Sequence, residues 1–432
     1  MTKTELKAKI LAGGIDHTLV DGLSVPEARI PAERERYARA VDEFDSIYGD
    51  GEISLFSVGG RSEISGNHTD HNHGRVIAAS VNLDILAVAK KTDDGTIRIK
   101  SEGFPEDVVP ASAVECPDKS KFFTSAAIIA GMEKAFLNAG YNIGGFDAYT
   151  TSNVLKGSGI SSSAAFEVMV GNILNYLYND GKVSNVEIAK MAQFAENVYF
   201  GKPCGLMDQT ACAVGGFITI DFGDPTTPVI EKMDFDLTSA GYRLCIVNTG
   251  GNHADLNEDY ASVPAEMKAV ARELGVSVLR ETCRCALDKR LREGGSALRE
   301  KLGDRAIMRA YHFFSENERV AAQVASLRAG DVEGFKAGVV ASGNSSFKYL
   351  QNVYTTKNVA EQGLSLALCL TEEFLRDKNG VCRVHGGGFA GTIQAFIPVD
   401  DAPAYEALMN GVFGEHACHI LSVRKNGACR II

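Results

Sequence analysis

The first fifty residues carry apolar positions at helical spacing in a polar background, with Glu33, Arg34, Glu35 and Arg36 on an exposed stretch. The apolar run Ile53-Ser-Leu-Phe-Ser-Val58, closed by Gly59-Gly60, predicts a strand. A second strand covers residues 75–90, rich in Val, Ile and Ala. Asp93-Asp94-Gly95 marks a turn, and Thr96-Ile-Arg-Ile-Lys100 alternates as a half-buried strand does. Helical spacing over 121–139 stops at Gly140. Residues 145–153 predict a strand, 164–177 and 185–199 predict helices, and 217–220 a further strand. A break with Gly and Pro follows at 223–228.

A strand at 242–247 opens a second region. It is largely helical, at 263–274, 296–300, 307–327, 332–344 and 359–375. Two strand-like segments, 382–385 and 392–397, flank a triple glycine. The pattern predicts an α/β (α+β) protein with two domains, 1–237 and 238–432. The length of 432 residues points the same way, because one compact core rarely grows so large.

Composition narrows the function classes. With 45% hydrophobic and 23% charged residues, the chain has enough apolar surface to fold. A net charge of −11 argues against nucleic acid as a partner. It does not exclude ATP, which backbone N–H groups and a metal ion hold locally. The first ten residues lack an apolar signal core, and no stretch is long and apolar enough to span a bilayer, so a cytoplasmic protein without membrane contact is expected. The ten cysteines are scattered, Cys283 and Cys285 being the only close pair, and reduced thiols are expected.

Four clusters carry candidate chemistry. Lys156-Gly-Ser-Gly-Ile-Ser-Ser-Ser-Ala-Ala165 lies between a predicted strand and a predicted helix. Its small residues let backbone N–H groups approach a phosphate, and the helix N-terminus adds orphan donors. A serine N-cap after a plain loop would look the same. No Gly-Lys-Ser/Thr follows, so this is not a Walker A loop. The second cluster, residues 60–74, packs Arg61, Asn67, His68, Asp70, His71 and His73 between glycines. Its histidines do not make a metal set by spacing alone. The third, residues 195–209, holds Glu196 near a helix end and Asp208 after a Gly-containing turn. Two such carboxylates suit Mg²⁺ binding and proton acceptance, though a solvated helix face and an N-cap would also account for them. The fourth is His385-Gly-Gly-Gly-Phe-Ala-Gly391, with more glycine than a turn requires, which suggests close backbone approach.

In this order the four clusters resemble the galactokinase branch of the GHMP kinases, over roughly residues 50 to 430. Arg61 through Gly74 is similar to the sugar signature, Gly157 through Ala165 to the phosphate loop, Gly201-Lys-Pro-Cys-Gly-Leu-Met-Asp-Gln209 to the segment with the catalytic aspartate, and Gly386 through Gly391 to the C-terminal glycine motif. The resemblance implies two α/β domains with the active site in the cleft between them. It implies an enzyme moving the γ-phosphate of ATP to the C1 hydroxyl of a galactose-like sugar, with small-molecule substrates and a monomeric or small homo-oligomeric state. Asp208 would be the base and Arg61 would stabilise developing charge. Gly157, Ser158, Gly159, Ser161, Ser162 and Ser163 would hold the phosphates, and Ser163 with Glu196 would hold Mg²⁺. Asn67, His68, Asp70 and Tyr260 would contact the sugar.

Two positions of the sugar signature depart from the family pattern, and further on residues 342–357 fit the family's corresponding region poorly. Asn67 stands where galactokinases carry a Glu facing the C6 end of the sugar, and His71 replaces the usual tyrosine. Two like charges at ~4 Å and an effective dielectric of ~20 repel by about 4 kcal/mol, so losing that Glu would admit a C6 carboxylate. Galacturonate, or another C6-modified sugar, is thus an alternative to galactose. A non-catalytic galactose and ATP sensor is a second alternative, against which the intact Arg61, Glu196 and Asp208 set argues.

Overall fold

The computed structural model describes all residues except 1, 111–113, 155–158, 203 and 252–255. Two helices, α1 (Lys3–Leu11) and α2 (Ile30–Tyr48), open the chain. Thr2 and Glu5 form a reciprocal capping box that starts α1. Then come β1 (Ile53–Ser65), β2 (Arg75–Lys91), β3 (Thr96–Ser101), β4 (Glu106–Pro110), α3 (Ser125–Asn138) and β5 (Phe146–Ser152). The segment α4 (Ser162–Tyr178), α5 (Asn185–Phe194), α6 (Met207–Val214), β6 (Phe217–Asp221) and β7 (Val229–Met233) completes the first region. The second consists of β8 (Tyr242–Asn248), α7 (Asn257–Glu273), α8 (Arg284–Leu302), α9 (Asp304–Ala329), α10 (Val332–Ser345), α11 (Gly363–Phe374), β9 (Val381–Val384), β10 (Thr392–Pro398), α12 (Ala402–Phe413), β11 (Cys418–Leu421) and β12 (Cys429–Arg430).

Eight strands form one sheet in the order β12-β1-β2-β5-β3-β4, with β6 on the first half of β2 and β7 beyond it. Among the described residues, only β3 and β5 pair in parallel. Four antiparallel strands, β11-β8-β10-β9, make the second sheet. Helices α3, α4 and α5 cover one face of the first sheet in a single apolar core. Helices α1 and α2 cover the opposite side through Leu6, Tyr37, Phe44, Leu55 and Val88. The large core also takes in Val320, Phe335 and Phe396, so the two regions share packing. The chain's last strand returns to β1, Phe56 pairing with Arg430.

Several elements exceed their sequence signal. β1 runs on through Arg61, Ser62 and Glu63, buried throughout, because those polar side chains find partners inside the protein. Its register with β2 shifts between Gly59 and Arg61, an irregularity of the kind that re-aims a side chain. The long α8 was expected only at 296–300, and it bends at Gly294 where backbone angles leave the helical range. α7 begins before residue 263 and contains Pro264. β4, β7, α6, β11 and β12 are short or edge-lying and gave no pattern, and the twelve-residue α12 was also not expected. Cys283 and Cys285 form a disulfide, correcting the expectation of reduced thiols for this pair, and the other eight cysteines are free. Among the described residues, no helix is long and apolar enough to cross a membrane.

The helix expected over 185–199 ends at Phe194 and continues as a wider π-type turn, Ala195–Phe200, which carries Glu196. Such widened turns re-aim side chains at functional sites. Gly131 of α3 allows it, since a Cβ there would lie 2.8 Å from Ala195 Cα. Gly131→Ala should therefore lower stability by about 1–3 kcal/mol in urea unfolding, through overpacking. An unchanged urea midpoint would show that α3 and the turn can separate freely.

Candidate active site

Arg61 reaches from the irregular part of β1 to Asp208 on the first turn of α6. Its Nε lies 2.7 Å from Asp208 Oδ1 and its Nη2 2.6 Å from Oδ2, a two-pronged ion pair. Arg61 Nη1 also donates to the Gly159 carbonyl, and the Arg61 backbone N–H donates to Ile160 O at 3.0 Å. Ser161 completes the group. It precedes α4 in a left-handed conformation, φ 54°, and its hydroxyl donates to Asp208 rather than capping the helix. The N-terminal N–H groups of α4 are thus left without a side-chain cap from this residue.

Burial pushes the Asp208 carboxyl up, but the Arg61 charge and the hydrogen bonds from Arg61 and Ser161 outweigh it and hold the group below the ordinary carboxylate range. The Arg61 guanidinium is correspondingly held charged by Asp208 against its own burial. The Asp208 side chain is 32% exposed and Arg61 10%, so the aspartate is the member open to a ligand. Beside it lies a cavity of about 160 Å³ lined by Asp70, Ser163, Glu196, Lys202 and Gln209.

Glu196 is buried, and so is Glu167 on α4. The Gln209 side-chain Nε2 donates to both, at 2.8 Å to Glu196 Oε2 and 3.0 Å to Glu167 Oε2. Burial and the neighbouring Glu196 charge raise the Glu167 carboxyl well above its ordinary range. Burial and the same two carboxylates raise the Cys204 thiol too. The cation nearest Glu196 is Lys202, with Nζ 3.3 Å from Oε1 and a side chain 58% exposed. Two buried carboxylates with one loosely held lysine fit a small divalent cation. No group of three or more His, Cys, Asp and Glu that could hold a metal occurs among the described residues.

The sugar-signature loop packs on the glycine turn between β9 and β10. His68 Nε2 is 2.9 Å from Gly387 O, and Tyr260 OH donates to Gly388 O at 2.9 Å. Burial and the nearby His71 lower His68 to about 4, so it is a neutral ring that donates through Nε2. A Cβ on Gly387 would meet the Tyr260 ring at 2.6 Å, which accounts for a glycine at that place. Asn67 has no exposed surface. Its Nδ2 donates to Glu63 Oε1 at 2.9 Å and Gly386 O at 2.7 Å, and its Oδ1 accepts from Asn352 at 2.8 Å and Ser346 at 3.2 Å. Both donors and both acceptor positions are engaged by protein.

The structure thus brings Arg61, Asp208, Ser161, Ser163, Glu196 and Asp70 together, with His68 and Tyr260 on the glycine turn. Gly159 and Ser162 flank the same helix start, while Gly157 and Ser158 lie outside the described residues. Sequence reasoning missed Glu167, and it gave no role to Gln209 and His385 although both lie in its clusters. Glu167 follows Ser163 by four residues on one helix and so shares its face, a signal that was available. His385 bonds Ser62 at 3.0 Å and Thr392 at 2.8 Å, pairings that only the fold creates.

Arginine-clamped aspartate, uncapped helix start and acidic pocket all lie on a GHMP-type framework, and the model of the GHMP kinases N terminal domain matches residues 125–216. The Galactokinase galactose-binding signature matches residues 42–91. Galactokinase of Streptomyces coelicolor is 33% identical over 313 residues, covering 71% of this chain and 77% of that protein. Galactokinase of Streptomyces lividans is 31% identical over 359 residues, covering 82% and 83%. The chain belongs to the galactokinase family. Its fold is shared with Lactococcus lactis galactokinase complexed with galactose, at a TM-score of 0.73 and 24% identity over 90% of this chain and 98% of that one. Methanococcus jannaschii mevalonate kinase shares it more distantly, at a TM-score of 0.60 and 13% identity over 86% and 99%.

Proposed function

We propose that this enzyme phosphorylates the C1 hydroxyl of galactose with ATP, and that Arg61 and Asp208 carry the transfer. Family membership supplies the reaction, and the single observation that supports the roles is the two-pronged Arg61–Asp208 pair open to the cleft. Asp208 accepts the hydrogen of the C1 hydroxyl. The sugar oxygen bonds to the γ-phosphorus as the bond to the β-phosphate oxygen breaks, giving galactose 1-phosphate and ADP. Arg61 sits where it can offset charge on the attacking oxygen and the phosphoryl group. Gly157, Ser158, Gly159, Ser162 and Ser163 and the N-terminus of α4 hold the phosphates, while Ser161 keeps Asp208 in place. Ser163 and Glu196 would hold Mg²⁺, whose charge would offset that of the β- and γ-phosphates. His68 offers Nδ1 as an acceptor for a sugar hydroxyl, since Nε2 serves Gly387. Asp70, which lines the acidic cavity, and Tyr260 on the glycine turn would contact sugar hydroxyls.

Asn67 acts on the sugar by holding the glycine turn, because its own polar atoms are engaged. That removes the ground for galacturonate as a preferred substrate, and the intact Arg61–Asp208 pair speaks against a non-catalytic sensor. The division near residue 237, a monomeric or small homo-oligomeric state and a cytoplasmic site where ATP is supplied complete the reading.

An ADP-release assay with Mg-ATP against galactose, galacturonate, N-acetylgalactosamine and glucose tests it. Galactose should give the highest kcat/KM. A higher kcat/KM for galacturonate would overturn the substrate, and no turnover with any sugar despite measurable binding would overturn the reaction.

A further inference from the structure

We propose that Gln209 is a positioning residue for phosphoryl transfer: its side-chain amide ties the cation-binding carboxylate Glu196 to Glu167 and fixes both to the helix that carries Asp208. This rests on Glu196 being a cation ligand, as read above. Gln209 has no exposed surface, so its effect on the reaction passes through its neighbours.

The amide nitrogen has two hydrogens, and one goes to each carboxylate. Three elements meet at this point: Glu167 from α4, Glu196 from the widened turn after α5, and Gln209 from α6. Glu167 lies one helical turn beyond Ser163, and Gln209 directly follows Asp208 in the chain. A displacement of either buried carboxylate is therefore passed to the phosphate-facing helix and to the base through one side chain.

The chemistry of the position favours a neutral donor. A lysine would neutralise a carboxylate and compete with a cation. A glutamate would add a third buried carboxyl group and donate to neither of the other two when ionised. A methionine, of similar length, would leave two buried carboxylate oxygens without their donor. An amide holds the two carboxyl groups close while adding no charge of its own. Gln209 also lines the acidic cavity, and its Oε1 is buried with no protein partner. That oxygen remains as an acceptor for a water molecule at the site. Lys202 reaches Glu196 from the solvent side and is too exposed to fix it.

The test is Mn²⁺ binding in the presence of ADP, read from the electron paramagnetic resonance signal of free Mn²⁺, on wild type, Gln209→Met, Glu167→Gln and Glu196→Gln. Gln209→Met should raise the Mn²⁺ Kd by about 10-fold or more and lower kcat, while the galactose Kd from calorimetry stays within about twofold of wild type. Glu167→Gln keeps size and shape, should raise the Mn²⁺ Kd less, and carries the test if Gln209→Met does not fold. Unchanged Mn²⁺ Kd in both variants, with weakened binding in Glu196→Gln, would overturn the positioning role alone. Unchanged Mn²⁺ Kd in Glu196→Gln would overturn the cation reading beneath it.

Discussion

Asp208→Asn should lower kcat by roughly 10²–10⁴-fold while galactose binding stays measurable by calorimetry. The substitution keeps the shape of the side chain and removes its negative charge. An asparagine cannot accept the C1 hydroxyl proton, and its NH₂ would face the Arg61 guanidinium, donor against donor. Arg61, nearly buried, then loses its counter-charge, so the thermal midpoint should fall as well. The charge partners in the wild type also fix the sign of the pH effect. The folded Asp208 carboxyl lies below its unfolded value, so the stability it contributes is fully present above about pH 4 and is lost as pH falls through the folded value. Near wild-type kcat in Asp208→Asn would remove the residue from the chemistry.

Arg61→Ala is expected to cost roughly 10²–10³-fold in kcat through lost charge stabilisation, and to move the acid limb of kcat/KM upward. Two opposing effects act on Asp208: burial raises its carboxyl and Arg61 lowers it. Without the guanidinium, burial is opposed only by the serine hydrogen bond and the smaller pull of the Lys202 charge, so the carboxyl protonates at a higher pH. A kcat/KM profile from pH 4 to 9 on wild type and variant reads the shift. An acid limb at the same pH in both would mean that Asp208 does not set it.

Much of the candidate site was legible because its residues sit in short contiguous segments. Arg61, Asp70, Glu196 and Asp208 each lie inside a glycine-bounded or turn-bounded cluster. Strands with alternating or continuous apolar residues, such as β3 and β8, declared themselves through periodicity. The end of β1 did not. Arg61, Ser62 and Glu63 read as loop polarity, and their burial depends on Asp208, His385 and Arg383, partners from 147 to 323 positions away along the chain. The short β12 depends in the same way on β1, nearly four hundred residues earlier.

Asn67 shows the limit most clearly. By sequence it is a small amide in a sugar-binding loop, free to meet a C6 substituent. Packing against Asn352, Ser346, Glu63 and Gly386 consumes every hydrogen bond it can make. The sequence by itself determined most of the element types and which short segments hold the candidate site residues, because these rest on local periodicity and local spacing, while the reaction class came from its resemblance to the galactokinase family. Tertiary structure alone decided which polar atoms remain open to a ligand and which are already paired. That is a matter of long-range satisfaction of buried hydrogen bonds, a quantity that no window along the chain contains.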